Sequence, residues 1–267
     1  MSVLGIIAGK GLYPSLLLDE ARRQFAGQIV IAAFTGETDP ALTARADGHC
    51  WMKVGQLGKL LAFFKDAAVD QAIMAGQITP GRLFDFRPDF KALLLLAALR
   101  ERNAESLFGA VAGALERAGV RLLPATTFME KFLPPAGLVA GPRLSKRQSR
   151  DADFGWGIAK EISRLDIGQS VVVKKGTVLA VEGHDGTNAT IRRGGALGGG
   201  GALLVKVSKP GQDPRFDVPV IGPDTARICA ESKISAVVVE AGRTLLLGWD
   251  EITSLSAELG VTIFAKE

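Results

Sequence analysis

The chain has 267 residues, of which 47% are hydrophobic and 22% charged, and its net charge is +4. This composition provides a sizeable apolar core and excludes an intrinsically disordered chain. Two cysteines without a CxxC spacing exclude a disulfide framework and a zinc ribbon. The longest apolar run, Ala92 to Leu99, is far shorter than the ~20 residues of a membrane span. The start, MSVLGIIAGKGLYP, has no basic n-region, so we expect a cytoplasmic protein without a signal peptide.

The positive charge is confined to one short stretch. Residues 1–142 carry 15 basic and 13 acidic side chains, and residues 151–267 carry 13 and 15, so these two parts cancel. The excess comes from four residues between them, Arg143, Lys146, Arg147 and Arg150. Nucleic-acid-binding surfaces spread over a face and include aromatic side chains, but only 6% of this chain is aromatic. The sequence therefore predicts no nucleic-acid partner.

The first half alternates short apolar runs with segments of helical spacing. The predicted strands are Val3–Ala8, Ile29–Phe34, His49–Val54 and Gln71–Ala75. Strands separated by helices in this rhythm indicate a parallel sheet with crossover helices, so we predict an N-terminal Rossmann-like domain over residues 1–133. A long apolar helix is expected over Ala92–Ala118, broken near Arg102-Asn103, and a further strand over Val120–Phe128.

The second half has a different pattern. Residues 134–150, rich in proline, glycine and basic side chains, are predicted to be a linker, and residues 151–267 a mixed α/β (α+β) domain. Predicted helices cover Asp151–Arg164, Asp224–Ser232 and Asp250–Leu259. Predicted strands cover Ser170–Val173 and Thr177–Val181, as a hairpin, and Leu203–Val207, Ala236–Val239, Thr244–Leu247 and Val261–Phe264. The run GGALGGGG at Gly194–Gly201 is typical of a flexible loop.

Two glycine turns follow predicted strands of the first half. Gly9-Lys10-Gly11 comes after the first strand and Gly76-Gln77 after the fourth. Because ligands bind outside the carboxyl ends of parallel strands, the two turns would face one crevice, where backbone amides can bind phosphate and Gln77 can bind a uracil or sugar. Pro14 replaces the third glycine of a dinucleotide fingerprint, which disfavours a nicotinamide oxidoreductase. A tight turn without a ligand is the alternative.

The second half holds candidate acids beside glycine turns. They are Glu182, Asp185, Asp217 and Glu240. Carboxylates at strand ends suit Mg²⁺, which takes few protein oxygens and completes its shell with phosphate oxygens and water. Lys206 and Lys209 follow a predicted strand and can bind phosphate as point charges. The alternative for each of these residues is an ordinary solvated cap or strand end.

Several segments together resemble a known family. They are LGIIAGKGLYP, the MAG at 74–76, LDIGQSVVV, VLAVEGHDGTNATIRR, LLVKVSKPGQDPRFDVPVIGPDT and VVVEAGR. In this combination, nearly from end to end, the chain resembles the LpxI-type UDP-2,3-diacylglucosamine pyrophosphatases of bacterial lipid A synthesis. The RFDVPVIGPDT and AVEG…GT…RR blocks are specific together, whereas the glycine turn alone would not be.

The resemblance implies a reaction and a set of site residues. It implies a Mg²⁺-dependent hydrolase that converts UDP-2,3-diacylglucosamine to UMP and 2,3-diacylglucosamine 1-phosphate (lipid X), with two domains and the lipid held between them. The family's essential aspartate lies in R-x-D-[LV]-P, which matches Asp217. We predict catalytic roles for Asp217, Glu182 and Glu240, and Mg²⁺ ligation by Asp217 and Asp185. The predicted substrate-binding residues are Gly9, Lys10, Gly11, Gly76, Gln77, Thr187, Lys206 and Lys209.

Some positions depart from the family pattern. Lys10 interrupts a turn that is usually GGG-like, Asn188 stands where relatives often have aspartate, and Asn103-Ala104 replaces a Gly-Asp-Asp stretch. A non-catalytic protein that binds a nucleotide sugar or lipid is therefore the alternative function. We expect apolar walls at Leu93–Leu96 and Phe84–Phe90 to accept acyl chains, with a plain buried core helix as the alternative for residues 92–99. The basic cluster at 143–150 would meet a pyrophosphate or the inner face of the inner membrane, or be a solvated linker, and a homodimer is left open.

Overall fold

The computed structural model describes residues 2–79, 88–99 and 104–267. The side chains of Ala98 and Ala104 are not described, so the departure at Ala104, the predicted helix break at Arg102-Asn103 and most of the predicted Phe84–Phe90 wall lie outside the described residues. The chain divides into two compact units. The first comprises Met1–Met129 together with Asp213–Asp217, and the second comprises Glu130–Gln212 together with Val218–Glu267.

The first unit is built on a parallel sheet. Its strands are β1 (Val3–Ala8), β2 (Gln28–Phe34), β3 (Gly48–Met52), β4 (Gln71–Ala75) and β5 (Arg121–Leu122). Its helices are α1 (Tyr13–Gln24), α2 (Pro40–Thr43), α3 (Leu57–Asp66), α4 (Phe90–Ala98) and α5 (Ala104–Arg117). The strand order is β3-β2-β1-β4-β5 with all pairs parallel, which confirms the predicted Rossmann-like sheet.

Burial explains why these runs form strands. All six residues of β1 are buried, as expected for a parallel strand covered on both faces. The strand predicted over Val120–Phe128 is wrong beyond β5, which ends at Leu122. The chain then leaves the sheet, and the Ala125 amide donates to the Pro214 carbonyl at 2.7 Å.

The second unit combines parallel and antiparallel strands. Its strands are β6 (Gly137–Ala140), β7 (Ser170–Lys174), β8 (Thr177–Val181), β9 (Ala202–Lys206), β10 (Val220–Ile221), β11 (Ile234–Glu240), β12 (Leu245–Leu246) and β13 (Thr262–Lys266). Its helices are α6 (Lys146–Arg164), α7 (Gly186–Gly198), α8 (Pro223–Glu231) and α9 (Trp249–Leu259). The main sheet has the order β6-β13-β11-β9-β7-β8, with a parallel centre of β13, β11 and β9. The predicted mixed α/β class and the β7–β8 hairpin are confirmed.

Two predicted irregular segments have regular structure instead. Within residues 134–150, β6 pairs with β13 and α6 begins at Lys146, so this stretch is not simply a linker. The helix starts five residues earlier than predicted because Ser145 and Gln148 form a capping box. The predicted Gly194–Gly201 loop is also wrong at its start, since residues up to Gly198 complete α7. Among the described residues, no helix is long and apolar enough to cross a membrane.

Candidate functional site

The two glycine turns of the first unit are joined directly. The Gly9 amide donates to the Ala75 carbonyl at 2.8 Å, and Lys10 and Gln77 exchange backbone hydrogen bonds of 2.8 and 3.1 Å. A Cβ on Gly9 would lie 2.4 Å from the Gln77 carbonyl oxygen, so only glycine permits this approach. The Gly9 and Lys10 amides are thus used within the protein. Donors for a phosphate are therefore expected from the first turn of α1 and from the Lys10 ammonium, not from these two amides.

A polar network fixes Lys10 at the edge of the sheet. Its ammonium donates to the Thr79 hydroxyl at 2.9 Å, and that hydroxyl and the Thr79 amide donate to the Glu37 carboxylate at 3.0 and 3.2 Å. Glu37 is buried, whereas Lys10 and Gln77 are exposed. A buried carboxylate therefore orients an exposed ammonium beside the glycine turns, an arrangement suited to an anionic ligand.

An apolar pocket of about 900 Å³, its open mouth included, lies beside the turns. Gly9 and Gly76 form part of its wall, at the carboxyl ends of β1 and β4. Apolar side chains from α3, α4 and α5 form the rest, among them Leu60, Leu96 and Phe108. The pocket therefore offers a largely apolar wall next to a polar edge.

Asp217 belongs to the first unit although it lies late in the sequence. Residues 213–217, here named the RFD segment, hold to this unit through three contacts. The Ala125 amide donates to Pro214, the Phe216 ring lies 5.8 Å from the Phe108 ring that lines the pocket, and Arg215 pairs with Glu116 on α5. The RFD segment thus brings Asp217 into the unit that carries the glycine turns and the pocket.

A tight turn positions the Asp217 backbone. Its amide donates to the Asp213 carbonyl at 3.0 Å, and the Arg215 guanidinium holds the Asp213 carboxylate at 2.7 to 3.1 Å. Hydrogen bonding to Arg215 holds the pKa of Asp213 below its usual range, which keeps this clamp ionised. Asp217 is half-buried, and none of the residues 2–79, 88–99 and 104–267 hydrogen-bonds or ion-pairs with its carboxylate. A fixed backbone therefore positions a half-buried carboxylate to which none of the described residues is bonded.

In the second unit, three predicted residues lie together. The Thr187 hydroxyl donates to Glu182 at 2.7 Å, and the Lys206 ammonium donates to Thr187 at 3.1 Å. Glu182 and Lys206 are both buried, at 8% and 7% exposure. The departure Asn188 lies next to Thr187 on α7 and is exposed. The Lys206 ammonium is thus linked to Glu182 through the Thr187 hydroxyl, and a lysine in such a cluster can bind an anion as a point charge.

Glu240 forms a second cluster, with two residues that sequence reasoning missed. The Lys160 ammonium and the Ser208 hydroxyl each donate to Glu240 at 2.6 Å, and the Ser208 amide donates at 2.8 Å. Burial raises the pKa of Glu240, but the hydrogen bonds from Lys160 and Ser208 lower it by more, so the net pKa lies below its usual value. An ionised Glu240 so fully bonded is suited to orient Lys160 and Ser208 and not to donate a proton.

The Glu240 cluster predicts a pH-dependent stability. A folded-state pKa below the ordinary value of 4.5 gives stabilisation that is present above that pH and is lost as pH falls through the folded pKa. Glu240→Gln should therefore lower the free energy of unfolding at pH 7 by about 1–3 kcal/mol, because Lys160 loses its charged partner. Urea unfolding of both proteins at pH 7 and pH 3 measures this. The difference should shrink at pH 3, and a difference independent of pH would contradict the assigned charge state.

The two predicted Mg²⁺ ligands lie in different units. Asp185 belongs to the second unit, where Arg193 pairs with its carboxylate at 2.5 Å and the Gly183 amide donates to it at 3.2 Å. Hydrogen bonding to Arg193 lowers the pKa of Asp185. Among the described residues, no three His, Cys, Asp or Glu side chains form a metal-binding group. The donor set thus fits a cation held by Asp217 with phosphate oxygens and water, but Asp185 is committed to Arg193.

The structure groups the remaining predicted residues by unit. Gly9, Lys10, Gly11, Gly76 and Gln77 lie at one edge of the first sheet. Lys209, in the second unit, forms an ion pair with Asp166. The residues missed by sequence reasoning are Glu37, Thr79, Lys160 and Ser208. A detectable signal existed only for Glu37, an acid shortly after β2, where Rossmann-like proteins place a ligand-binding carboxylate.

Family profiles match the chain over most of its length. The LpxI N-terminal domain matches residues 3–132, and the LpxI C-terminal domain matches residues 135–264. The chain belongs to the LpxI family. A curated relative from Caulobacter vibrioides, named UDP-2,3-diacylglucosamine pyrophosphatase LpxI, is 29% identical over 281 residues, covering 100% of this chain and 98% of the relative. Matches to both halves of the chain thus support its membership in the family. This membership associates the chain with lipid A biosynthesis and with a pyrophosphatase family.

Similarity to solved structures is weak. A biotin carboxylase domain of a single-chain bacterial carboxylase is 10% identical with a TM-score of 0.26, over 64% of this chain and 35% of that one. The biotin carboxylase domain of Hydrogenobacter thermophilus 2-oxoglutarate carboxylase is 12% identical with a TM-score of 0.27, over 65% of this chain and 35% of that one. Neither likeness carries information about the function of this LpxI-family chain.

Proposed function

We propose that this chain hydrolyses the pyrophosphate bond of UDP-2,3-diacylglucosamine to UMP and 2,3-diacylglucosamine 1-phosphate. The observation that carries the proposal is the half-buried Asp217 carboxylate, which the RFD segment holds in the same unit as the glycine turns and the apolar pocket. A nucleotide-linked lipid needs a polar edge, an apolar pocket and a group that acts at phosphorus. The relative named for this activity supports the assignment.

The reaction is a displacement at phosphorus by water. The water oxygen bonds to one phosphorus, the bridging oxygen leaves with the other phosphate, and the protons of the water pass to the products and solvent. We assign Asp217 to orienting this water or ligating the metal, since no described residue competes for its carboxylate. Glu182 and Glu240 take supporting roles: Glu240 positions Lys160 directly, and Glu182 positions Lys206 through Thr187.

Ligand binding by the first unit follows from its polar edge and its pocket. We assign the nucleotide end to Gly9, Lys10, Gly11, Gly76 and Gln77. We assign an acyl chain to the pocket, whose walls include Leu95 and Leu96 of the predicted Leu93–Leu96 segment. Each buried CH₂ contributes roughly 0.8 kcal/mol, so an acyl chain in this pocket supplies a large part of the binding free energy. Thr187, Lys206 and Lys209 remain proposed phosphate-binding residues of the second unit.

We retain Mg²⁺ as the proposed cofactor. Asp217 would be its protein ligand, with phosphate oxygens and water completing the shell. When bound, Mg²⁺ would neutralise charge on the pyrophosphate as it is cleaved. Lys10, fixed by Thr79, would bind the same anion from the sheet edge.

The test is release of UMP by the purified protein. With UDP-2,3-diacylglucosamine we expect UMP and the acylated sugar phosphate in equal amounts. UDP-N-acetylglucosamine, which has an acetyl group but no long acyl chain, should react at least about tenfold more slowly because it leaves the pocket empty. EDTA should stop the reaction and added Mg²⁺ should restore it. Binding of the acylated substrate without UMP release would instead support the non-catalytic alternative, and full activity in EDTA would contradict the role of Mg²⁺.

A further inference from the structure

Helix α4 exposes an apolar stripe on its outer face. Phe90, Leu93 and Leu94 are 74%, 51% and 57% exposed, and Ala97 is exposed as well. These positions follow the i, i+3, i+4, i+7 spacing of one helix face. The expectation of a plain buried core helix is therefore wrong for this face. An apolar helix stripe is normally covered by a partner, so its exposure requires an explanation.

The opposite face of the same helix lines the pocket. Ala92, Leu95 and Leu96 point into the cavity beside the glycine turns. Helix α4 is thus apolar on both sides, with one face toward the pocket and the other toward the outside. A helix that is apolar all round is usually buried in a core or in lipid. The exposed stripe and the pocket wall are therefore opposite faces of the same helix.

The charge within the helix that carries the stripe is positive. Lys91 is the charged residue of the run Phe90–Leu99, which contains no acid, and it is exposed. The preceding Asp89 keeps its negative charge, but its carboxylate is held at the start of the helix, where it accepts from the Gly58 amide at 2.6 Å and the Ala92 amide at 2.9 Å. An apolar stripe with a lysine beside it matches the composition of helices that lie in the interface of an anionic bilayer.

We infer that the outer face of α4 docks on a lipid bilayer. A second copy of the chain is a poorer occupant, because a stripe of this kind covers a few hundred Å² and a stable interface buries about 800 Å² on each partner. The inference rests on the proposed function for its biological purpose: a substrate with two acyl chains resides in a membrane, and α4 has its other face on the pocket that would receive one chain. This surface is distinct from the basic cluster at 143–150.

The test is binding to vesicles that contain no substrate. Wild-type protein should sediment with vesicles of phosphatidylcholine and phosphatidylglycerol at 3:1, and less with phosphatidylcholine alone. The double variant Leu93→Gln/Leu94→Gln should partition at least about tenfold more weakly into both. Lys91→Met should lose about fivefold on the anionic vesicles only. The matched control is Leu197→Gln, which changes a 66% exposed leucine on α7 and should leave partitioning unchanged.

A spectroscopic readout separates docking from a change in folding. In Leu94→Trp the tryptophan emission should shift to shorter wavelength when vesicles are added, whereas Leu197→Trp should show no shift. Absence of vesicle binding by wild-type protein, or equal partitioning of the α4 double variant, would overturn the inference. So would loss of binding only on charge reversal of Arg143, Lys146, Arg147 and Arg150, or a wild-type dimer that the α4 substitutions convert to monomer. The vesicle assay contains no substrate, so its result does not depend on whether the protein releases UMP.

Discussion

Asp217→Asn should reduce UMP release by about 10²- to 10⁴-fold, the range typical for loss of one acid–base group at a reacting centre. The amide keeps the size of the side chain but removes its charge, so it can neither accept a proton from water nor ligate a cation strongly. The fold should persist, since the residue is held by its backbone amide and none of the described residues pairs with its carboxylate. Steady-state kinetics with UDP-2,3-diacylglucosamine measures the effect.

Asp224→Asn is the matched control for this prediction. Asp224 lies in the same RFDVPVIGPDT block, but its side chain is 88% exposed at the start of α8 and pairs with Arg227 on the surface. This variant should keep kcat/KM within about twofold, as expected of a surface ion pair. Substrate binding by Asp217→Asn should also persist, which calorimetry can show. Turnover unchanged in Asp217→Asn would contradict the proposed role, and equal losses in both variants would indicate a structural effect of the block.

The sequence predicted the first unit well because its signals are local. Each strand is an apolar run, and glycine follows β1 and β4 directly at Gly9 and Gly76. The rule that ligands bind outside the carboxyl ends of parallel strands then correctly placed both turns at one edge. The use of the Gly9 and Lys10 amides could not be predicted, because it depends on the register between two turns more than 60 residues apart.

The membership of Asp217 in the first unit could not be predicted from local pattern. Sequence order places the RFD segment among the acids of the second half, between β9 and α8. Its actual position depends on contacts with distant residues, namely the Ala125 amide to Pro214, and Phe216 against Phe108. Such contacts leave no periodicity in the sequence. As a result Asp217 lies in the first unit, whereas Glu182 and Glu240 lie in the second, as their sequence positions indicate.

Two predictions of irregular structure were wrong because composition was given more weight than other features of the sequence and fold. Ser145 and Gln148 have the spacing of a capping box, which marks the true start of α6, but the basic side chains around them suggested a linker. The run GGALGGGG suggested a loop by composition, whereas its first residues complete α7. Composition rules describe what glycine favours in an isolated chain, and close packing between elements overrode that preference here.

Gly195→Ala should therefore destabilise the protein by about 3 kcal/mol, the upper range for overpacking a tight site. A Cβ at this position would lie 2.1 Å from the Ser232 carbonyl oxygen, which is backbone and cannot rotate away. The neighbouring Gly194 has the same constraint, since its Cβ would lie 2.4 Å from Val172 of β7. Glycine in α7 thus weakens the helix locally but allows it to pack closely on the sheet and on the end of α8.

The control for this prediction is Gly157→Ala in α6. Gly157 is exposed, and a Cβ there would meet nothing within 4 Å, so alanine should stabilise the helix by about 0.5–1 kcal/mol. Urea unfolding of the two variants should give changes of opposite sign. If both substitutions stabilised the protein, α7 would not pack closely enough at this position to require glycine. Opposite signs would show that the glycines permit contact between α7 and its neighbours, because helix propensity alone predicts the same sign at both positions.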